Sequence, residues 1–64
     1  MPKKQTVVVA EDQTIVRKGL RSLLETREDL EVIAEAEDGL AAVRCVQKHQ
    51  PTLLLLDQIG RAHV

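Results

Sequence analysis

The apolar residues of the chain form three short runs, separated by two longer stretches with a different period. Residues 6–10 (TVVVA) and 53–56 (LLLL) are apolar without alternation, a pattern typical of strands buried on both faces of a parallel sheet. Residues 31–36 (EVIAEA) alternate, with valine and alanine on one side and glutamate and isoleucine on the other. This segment is predicted to be a strand with one more exposed side, at an edge of the sheet.

The stretch that starts at Thr14 has apolar residues at helical spacing. They are Val16, Leu20, Leu23 and Leu24, and charged residues occupy the opposite face. The spacing predicts an amphipathic helix. Asp12 and Thr14 are both candidate N-cap residues, and the polar residues 25–29 end the helix.

A second helix is predicted over residues 40–49. Asp38 and Gly39 supply a turn before it, and Pro51 disfavours helical backbone in the residue that precedes it. The resulting order, βαβαβ, predicts an α/β domain in which right-handed crossovers place helices on both faces of a parallel sheet.

Length, composition and charge narrow the functional classes. A chain of 64 residues can hold one small domain, and 44% hydrophobic with 30% charged residues is a globular rather than a disordered balance. A net charge of -1 offers no basic surface for nucleic acid. The single cysteine, Cys45, excludes a disulfide framework, and the apolar run after the N-terminus is too short for a secretory or membrane segment. We therefore expect a cytoplasmic location.

Acidic residues follow two of the predicted strands. Glu11 and Asp12 come after the first, and Asp57 comes after the third. If the strand order is 2-1-3, these strand ends adjoin at the crevice where the winding of the sheet reverses. Carboxylates held together there suit Mg²⁺, which prefers oxygen ligands, and a carboxylate beside the metal can attack phosphorus. Asp57 is the candidate nucleophile.

Four segments carry a resemblance to a known family. They are residues 7–13 (VVVAEDQ), 16–24 (VRKGLRSLL), 35–39 (EAEDG) and 51–57 (PTLLLLD). Together they resemble the opening of receiver domains in the NarL/FixJ (LuxR-type) group of two-component response regulators. The resemblance covers residues 6–57 in register and implies the first half of a flavodoxin-like (CheY-like) fold.

The resemblance also implies residue roles and partners. Glu11 and Asp12, with Asp57, would hold Mg²⁺, and Asp57 would take a phosphoryl group from the phosphohistidine of a sensor histidine kinase. The domain would be a regulatory phosphoacceptor and not an enzyme. DNA would be bound only through a helix-turn-helix domain that this chain lacks, and a dimer of the full-length protein is left open.

The resemblance ends after Asp57. The family has there a short stretch ending in Met-Pro-Gly, whereas this chain has QIGRAHV at 58–64. These residues can be back-translated into a string that resembles a sequencing-library adapter, so we expect a non-native tail after a partial receiver domain at 1–57. Without the family's later hydroxyl and lysine residues the fragment should not switch, and the open apolar edge of its third strand predicts marginal stability and aggregation.

Other interpretations remain for the same residues. Glu11 and Asp12 could serve only as favourable charge at a helix N-terminus, and Asp57 could be a turn residue. The cations Arg17, Lys18 and Arg21 could form a solvated helix face or a docking face for the kinase.

An aspartate-nucleophile phosphatase would need Asp-x-Asp after the first strand, and Glu11-Asp12-Gln13 does not fit that pattern. A nucleotide-binding module would need a glycine-rich turn there, but Gly19 and Gly39 lie elsewhere. The remaining alternative is a truncated gene fragment without activity.

Overall fold

The computed structural model describes residues 4–57, and these form the five predicted elements in the predicted order. The elements are β1 (Gln5–Glu11), α1 (Thr14–Glu25), β2 (Leu30–Ala36), α2 (Gly39–His49) and β3 (Leu53–Asp57). The predicted tail at 58–64 lies outside the described residues. Within residues 4–57, neither helix is long and apolar enough to cross a membrane.

The three strands are parallel and lie in the order β2-β1-β3, which confirms the 2-1-3 arrangement. β1 is central, so its residues 7–10 are almost wholly removed from solvent. β2 lies at an edge, as its alternation predicted. Its pairing with β1 is irregular between Val7 and Val8, whereas β1 and β3 pair without interruption from Val7 opposite Leu53 to Glu11 opposite Asp57.

The two helices contact different side chains of β1, because successive residues of a strand point to opposite faces. Leu20 and Leu24 of α1 pack against a cluster that includes Val7 and Val9. Ala42 of α2 packs against Ala10 and Ala36. The apolar stripe predicted for α1 is therefore only partly used, since Leu23 remains 68% exposed.

The ends of the helices correct two details of the sequence interpretation. The N-cap of α1 is Gln13, which makes no side-chain capping bond, so neither Asp12 nor Thr14 caps this helix. α2 begins at Gly39, one residue earlier than predicted, because the Oδ1 atom of Asp38 accepts a hydrogen bond of 2.8 Å from the backbone N–H of Ala41.

We expect Asp38→Ala to lower the free energy of unfolding by about 1 kcal/mol, the usual cost of removing an N-cap acceptor. Urea denaturation followed by circular dichroism measures the effect, with Glu37→Ala at the preceding exposed position as the matched control. Equal stability of the two variants would contradict a capping role for Asp38.

β3 forms where the run at 53–56 predicted a strand, but the predicted burial on both faces is wrong for the described residues. Leu53, Leu54 and Leu56 are between 39% and 56% exposed, and among residues 4–57 no strand pairs with the outer edge of β3. Unpaired apolar edges favour association with other chains. The aggregation expected from the sequence stays a prediction.

Candidate functional site

The carboxyl ends of β1 and β3 meet at one edge of the sheet. Parallel pairing sets Glu11, the last residue of β1, opposite Asp57, the last residue of β3. Asp12 follows Glu11 in the loop that leads to α1. The backbone thus brings together the three positions that the sequence singled out, at the reversal point of an open parallel sheet.

Glu11 is almost completely buried, with 1% of its surface exposed. Its Oε2 atom accepts a hydrogen bond of 2.6 Å from the backbone N–H of Gln13. This short contact folds the carboxylate back over the β1–α1 loop. Asp12, the next residue, is exposed to solvent. One acid of the pair is therefore built into the structure while the other faces water.

The donor chemistry at this edge suits a hard cation. Glu11 and Asp12 offer only oxygen atoms, and the solvent beside Asp12 can supply the water ligands that Mg²⁺ retains in proteins. Among the side chains that the structure describes, which do not include that of Asp57, no group of three or more His, Cys, Asp or Glu is placed to hold a metal ion. The Mg²⁺ site therefore stays a prediction. The oxygen donors of Glu11 and Asp12 are the type of ligand that it requires.

Sequence reasoning missed a cluster of charges next to this edge. Three cations of α1 converge on the Glu35 carboxylate of β2: Arg17 Nε lies 3.1 Å from Oε1, Lys18 Nζ 3.1 Å from Oε1, and Arg21 Nη1 2.6 Å from Oε2. Only 12% of the Glu35 side chain is exposed. The three cations are therefore not a simple solvated face, although Lys18 is still 61% exposed.

The cluster lowers the pKa of Glu35 to about 2 from an ordinary 4.5. The hydrogen bond from Arg21 is the largest cause, and bonds from Lys18 and Arg17 act in the same direction, against the burial that raises the pKa. The same contact raises the pKa of Arg21. Glu35 is thus held as a carboxylate, and it fixes α1 to β2.

Arg17 connects this cluster to the acidic edge. Its Nη1 atom donates a hydrogen bond of 2.8 Å to the backbone carbonyl oxygen of Glu11. The same guanidinium therefore reaches both Glu35 and the end of β1. The available sequence signal was weak: basic residues at positions i, i+1 and i+4 of a helix, and one glutamate at the end of a strand.

Comparisons with known proteins agree with this architecture. The chain is 45% identical over 51 residues to the transcriptional regulatory protein YhcZ of Bacillus subtilis, covering 80% of this chain and 24% of YhcZ. It is 43% identical over 51 residues to the oxygen regulatory protein NreC of Staphylococcus epidermidis, covering 80% of this chain and 23% of NreC. The chain thus spans about a quarter of the length of these relatives.

A solved structure shares the fold. The signal receiver domain of the response regulator NarL from Mycobacterium tuberculosis superposes with a TM-score of 0.84 at 38% identity, over 88% of this chain and 45% of that one. This match confirms the CheY-like topology that the resemblance implied. The family model for the response regulator receiver domain matches residues 7–59. The chain therefore belongs to the response regulator receiver domain family, whose members are regulatory phosphoacceptor domains and not catalytic enzymes.

Proposed function

We propose that Asp57 accepts a phosphoryl group from the phosphohistidine of a sensor histidine kinase. The observation that carries the proposal is the register of β1 and β3, which places Asp57 opposite Glu11 at the carboxyl edge of the sheet. Family membership supports the same role. The phosphatase-like alternative is not favoured, because the family model matches residues 7–59.

The transfer needs no reactant beyond the phosphohistidine, Asp57 and a proton from water. A carboxylate oxygen of Asp57 forms a bond to phosphorus, the bond between phosphorus and the histidine nitrogen breaks, and the imidazole keeps that electron pair and takes up a proton. Bound Mg²⁺, with Glu11, Asp12 and Asp57 as proposed ligands, would offset the charge on the phosphoryl oxygens. Burial of Glu11 and its bond from the backbone N–H of Gln13 fix one of the proposed ligand carboxylates at the end of β1.

The setting of the domain is part of the proposal. Both relatives named above are described as regulatory proteins, and YhcZ as a transcriptional one, which supports a regulator of transcription whose DNA-binding domain lies outside this chain. A cytoplasmic location belongs to the same proposal. We propose that residues 1–57 supply the first part of the receiver domain and that 58–64 are a non-native tail. The boundary is open to test, because the family model extends two residues past Asp57.

Phosphoryl labelling tests the role of Asp57. The full 64-residue chain is incubated with acetyl phosphate and Mg²⁺, alongside a chimera that joins residues 1–57 to the second half of the M. tuberculosis NarL receiver domain. We expect the chimera to gain one acid-stable, base-labile phosphoryl group by intact-protein mass spectrometry. Asp57→Asn should abolish the labelling, and Asp29→Asn, the same change at an exposed position before β2, should not.

The outcomes separate the candidate functions. Labelling that persists in the Asp57→Asn chimera, or an unsubstituted chimera that takes no label, would overturn the proposal. Labelling of the chimera without labelling of the 64-residue chain supports Asp57 as the acceptor of a complete domain. It also supports the view that the short chain is an inactive fragment.

A further inference from the structure

Arg17 lies where three elements meet. Its backbone N–H donates to the carbonyl oxygen of Gln13 over 2.9 Å, its Nη1 donates to the carbonyl oxygen of Glu11 over 2.8 Å, and its Nε contacts Glu35 Oε1 at 3.1 Å. The side chain is only 12% exposed. The bond to Gln13 is the ordinary backbone bond of the helix, which any residue at this position would make. The guanidinium itself joins the end of β1 to Glu35 of β2.

The loop that carries Asp12 depends on these contacts. α1 starts without a side-chain cap, so no bond from a capping side chain fixes the backbone between β1 and the helix. The restraints on this loop include the bond from the Gln13 N–H to Glu11 Oε2, the helix bond from the Arg17 N–H to the Gln13 carbonyl, and the bond from Arg17 Nη1 to the Glu11 carbonyl. Of these three, only the last is made by the guanidinium. Without the guanidinium, the carbonyl of Glu11 would lose this hydrogen bond. The backbone of Glu11 and Asp12 would then be less restrained, and so would the orientation of their carboxylates.

We infer that Arg17 is a positioning residue for the acidic site, holding Glu11 and Asp12 in the geometry that binds Mg²⁺. The inference rests on the proposed function, because it assigns a task to Arg17 only if the acidic edge binds the metal. Partners outside the ligand shell commonly orient the ligands themselves, and their loss weakens metal affinity by about 10- to 100-fold.

The two neighbouring cations provide a natural comparison. Lys18 and Arg21 contact the same Glu35 carboxylate, but their described contacts do not include the end of β1. Both share the electrostatic environment of Arg17 without its bond to the Glu11 carbonyl. A role that depends on the total charge of the cluster would involve all three residues, whereas a positioning role belongs to Arg17.

The charge of Arg17 and its positioning role predict opposite changes in Mg²⁺ affinity when the residue is replaced. A guanidinium near a divalent cation repels it, so loss of the charge alone would tighten Mg²⁺ binding. Loss of a residue that orients the ligands would weaken it. The direction of the change therefore separates the two roles, and it does not depend on phosphorylation.

The experiment is a Mg²⁺ titration monitored through the ¹H–¹⁵N NMR signal of the Gln13 backbone N–H, which donates a hydrogen bond to Glu11 Oε2. The 64-residue chain and the chimera are compared as unsubstituted, Arg17→Met and Lys18→Met proteins. We expect Arg17→Met to raise the Mg²⁺ dissociation constant by about tenfold. Lys18→Met should leave it unchanged or slightly lower.

Equal or tighter Mg²⁺ binding by Arg17→Met would overturn the inference while leaving the proposed function intact. An unsubstituted chimera that does not bind Mg²⁺ would overturn both. If Arg17→Met loses its dispersed amide signals, Arg17→Lys decides: one ammonium group cannot occupy both acceptor positions of the guanidinium. Binding by Arg17→Lys at the unsubstituted affinity would then exclude a two-armed positioning role.

Discussion

Replacing Glu35 by glutamine is expected to lower the free energy of unfolding by about 2 kcal/mol at neutral pH, between the values typical of exposed and of buried ion pairs. The variant keeps the size of the side chain but leaves Arg17, Lys18 and Arg21 without their shared carboxylate. Arg17 is the most affected, because only 12% of its side chain reaches solvent. The more exposed Lys18 and Arg21 lose less, which is why the full cost of breaking a buried pair does not apply.

The same substitution should remove a pH dependence of stability. The pKa of Glu35 is about 2 in the folded protein, below its ordinary 4.5. A lowered folded-state pKa means that the contribution is complete above about pH 4.5 and is lost as the pH falls toward 2. We expect stability to decline more steeply across that window in the unsubstituted protein than in Glu35→Gln.

Urea denaturation at a series of pH values measures both effects. The matched control is Glu25→Gln, which removes the other carboxylate that Arg21 contacts, at 2.9 Å on the exposed face of α1. An exposed pair of residues one helical turn apart contributes about 0.3 to 0.5 kcal/mol. If Glu35→Gln lost no more stability than Glu25→Gln, or kept the steep acid decline, the central role of Glu35 would be wrong.

The fold could be predicted because its strands are marked by residue type. The unbroken apolar run at 6–10 forms β1, which the sheet buries on both faces at its centre. The run at 53–56 also forms a strand, but Leu53, Leu54 and Leu56 of β3 stay 39–56% exposed because no described strand covers its outer edge. The pairing irregularity at Val7 and Val8 could not be predicted. An alternating pattern identifies the faces of a strand, but it does not reveal where pairing with a neighbour slips by one residue.

Within the site, sequence placed residues at strand ends but could not place side chains in three dimensions. Glu11 and Asp12 were recognised because they interrupt an apolar run. The burial of Glu11 and its bond to Gln13 depend on how the loop closes, and so does the absence of an Asp12 cap on α1. The contact of Arg17 with Glu35 joins residues 18 apart in the chain, and it forms only because α1 packs over β2.

Asp12→Asn is expected to weaken Mg²⁺ binding by at least about tenfold, since even the loss of a residue outside the ligand shell commonly has that effect. Asp12 is exposed and does not cap α1, so the substitution should leave the free energy of unfolding nearly unchanged. Affinity and stability are thereby separated, which a change at the buried Glu11 would not achieve. The amide of an asparagine keeps the shape of the carboxylate but removes the negative charge that attracts a hard cation.

Two quantities are measured in the chimera. The first is the Mg²⁺ dissociation constant, obtained from the NMR signal of the Gln13 backbone N–H, and the second is the Mg²⁺ concentration that gives half-maximal labelling by acetyl phosphate. Asp29→Asn is the matched control: the same chemical change at an exposed site whose carboxylate contacts Arg27 at 3.2 Å. We expect both quantities to rise in Asp12→Asn and neither in Asp29→Asn. Unchanged values in Asp12→Asn would show that Asp12 is not a ligand, and the acid after β1 would then serve only as favourable charge near the start of α1.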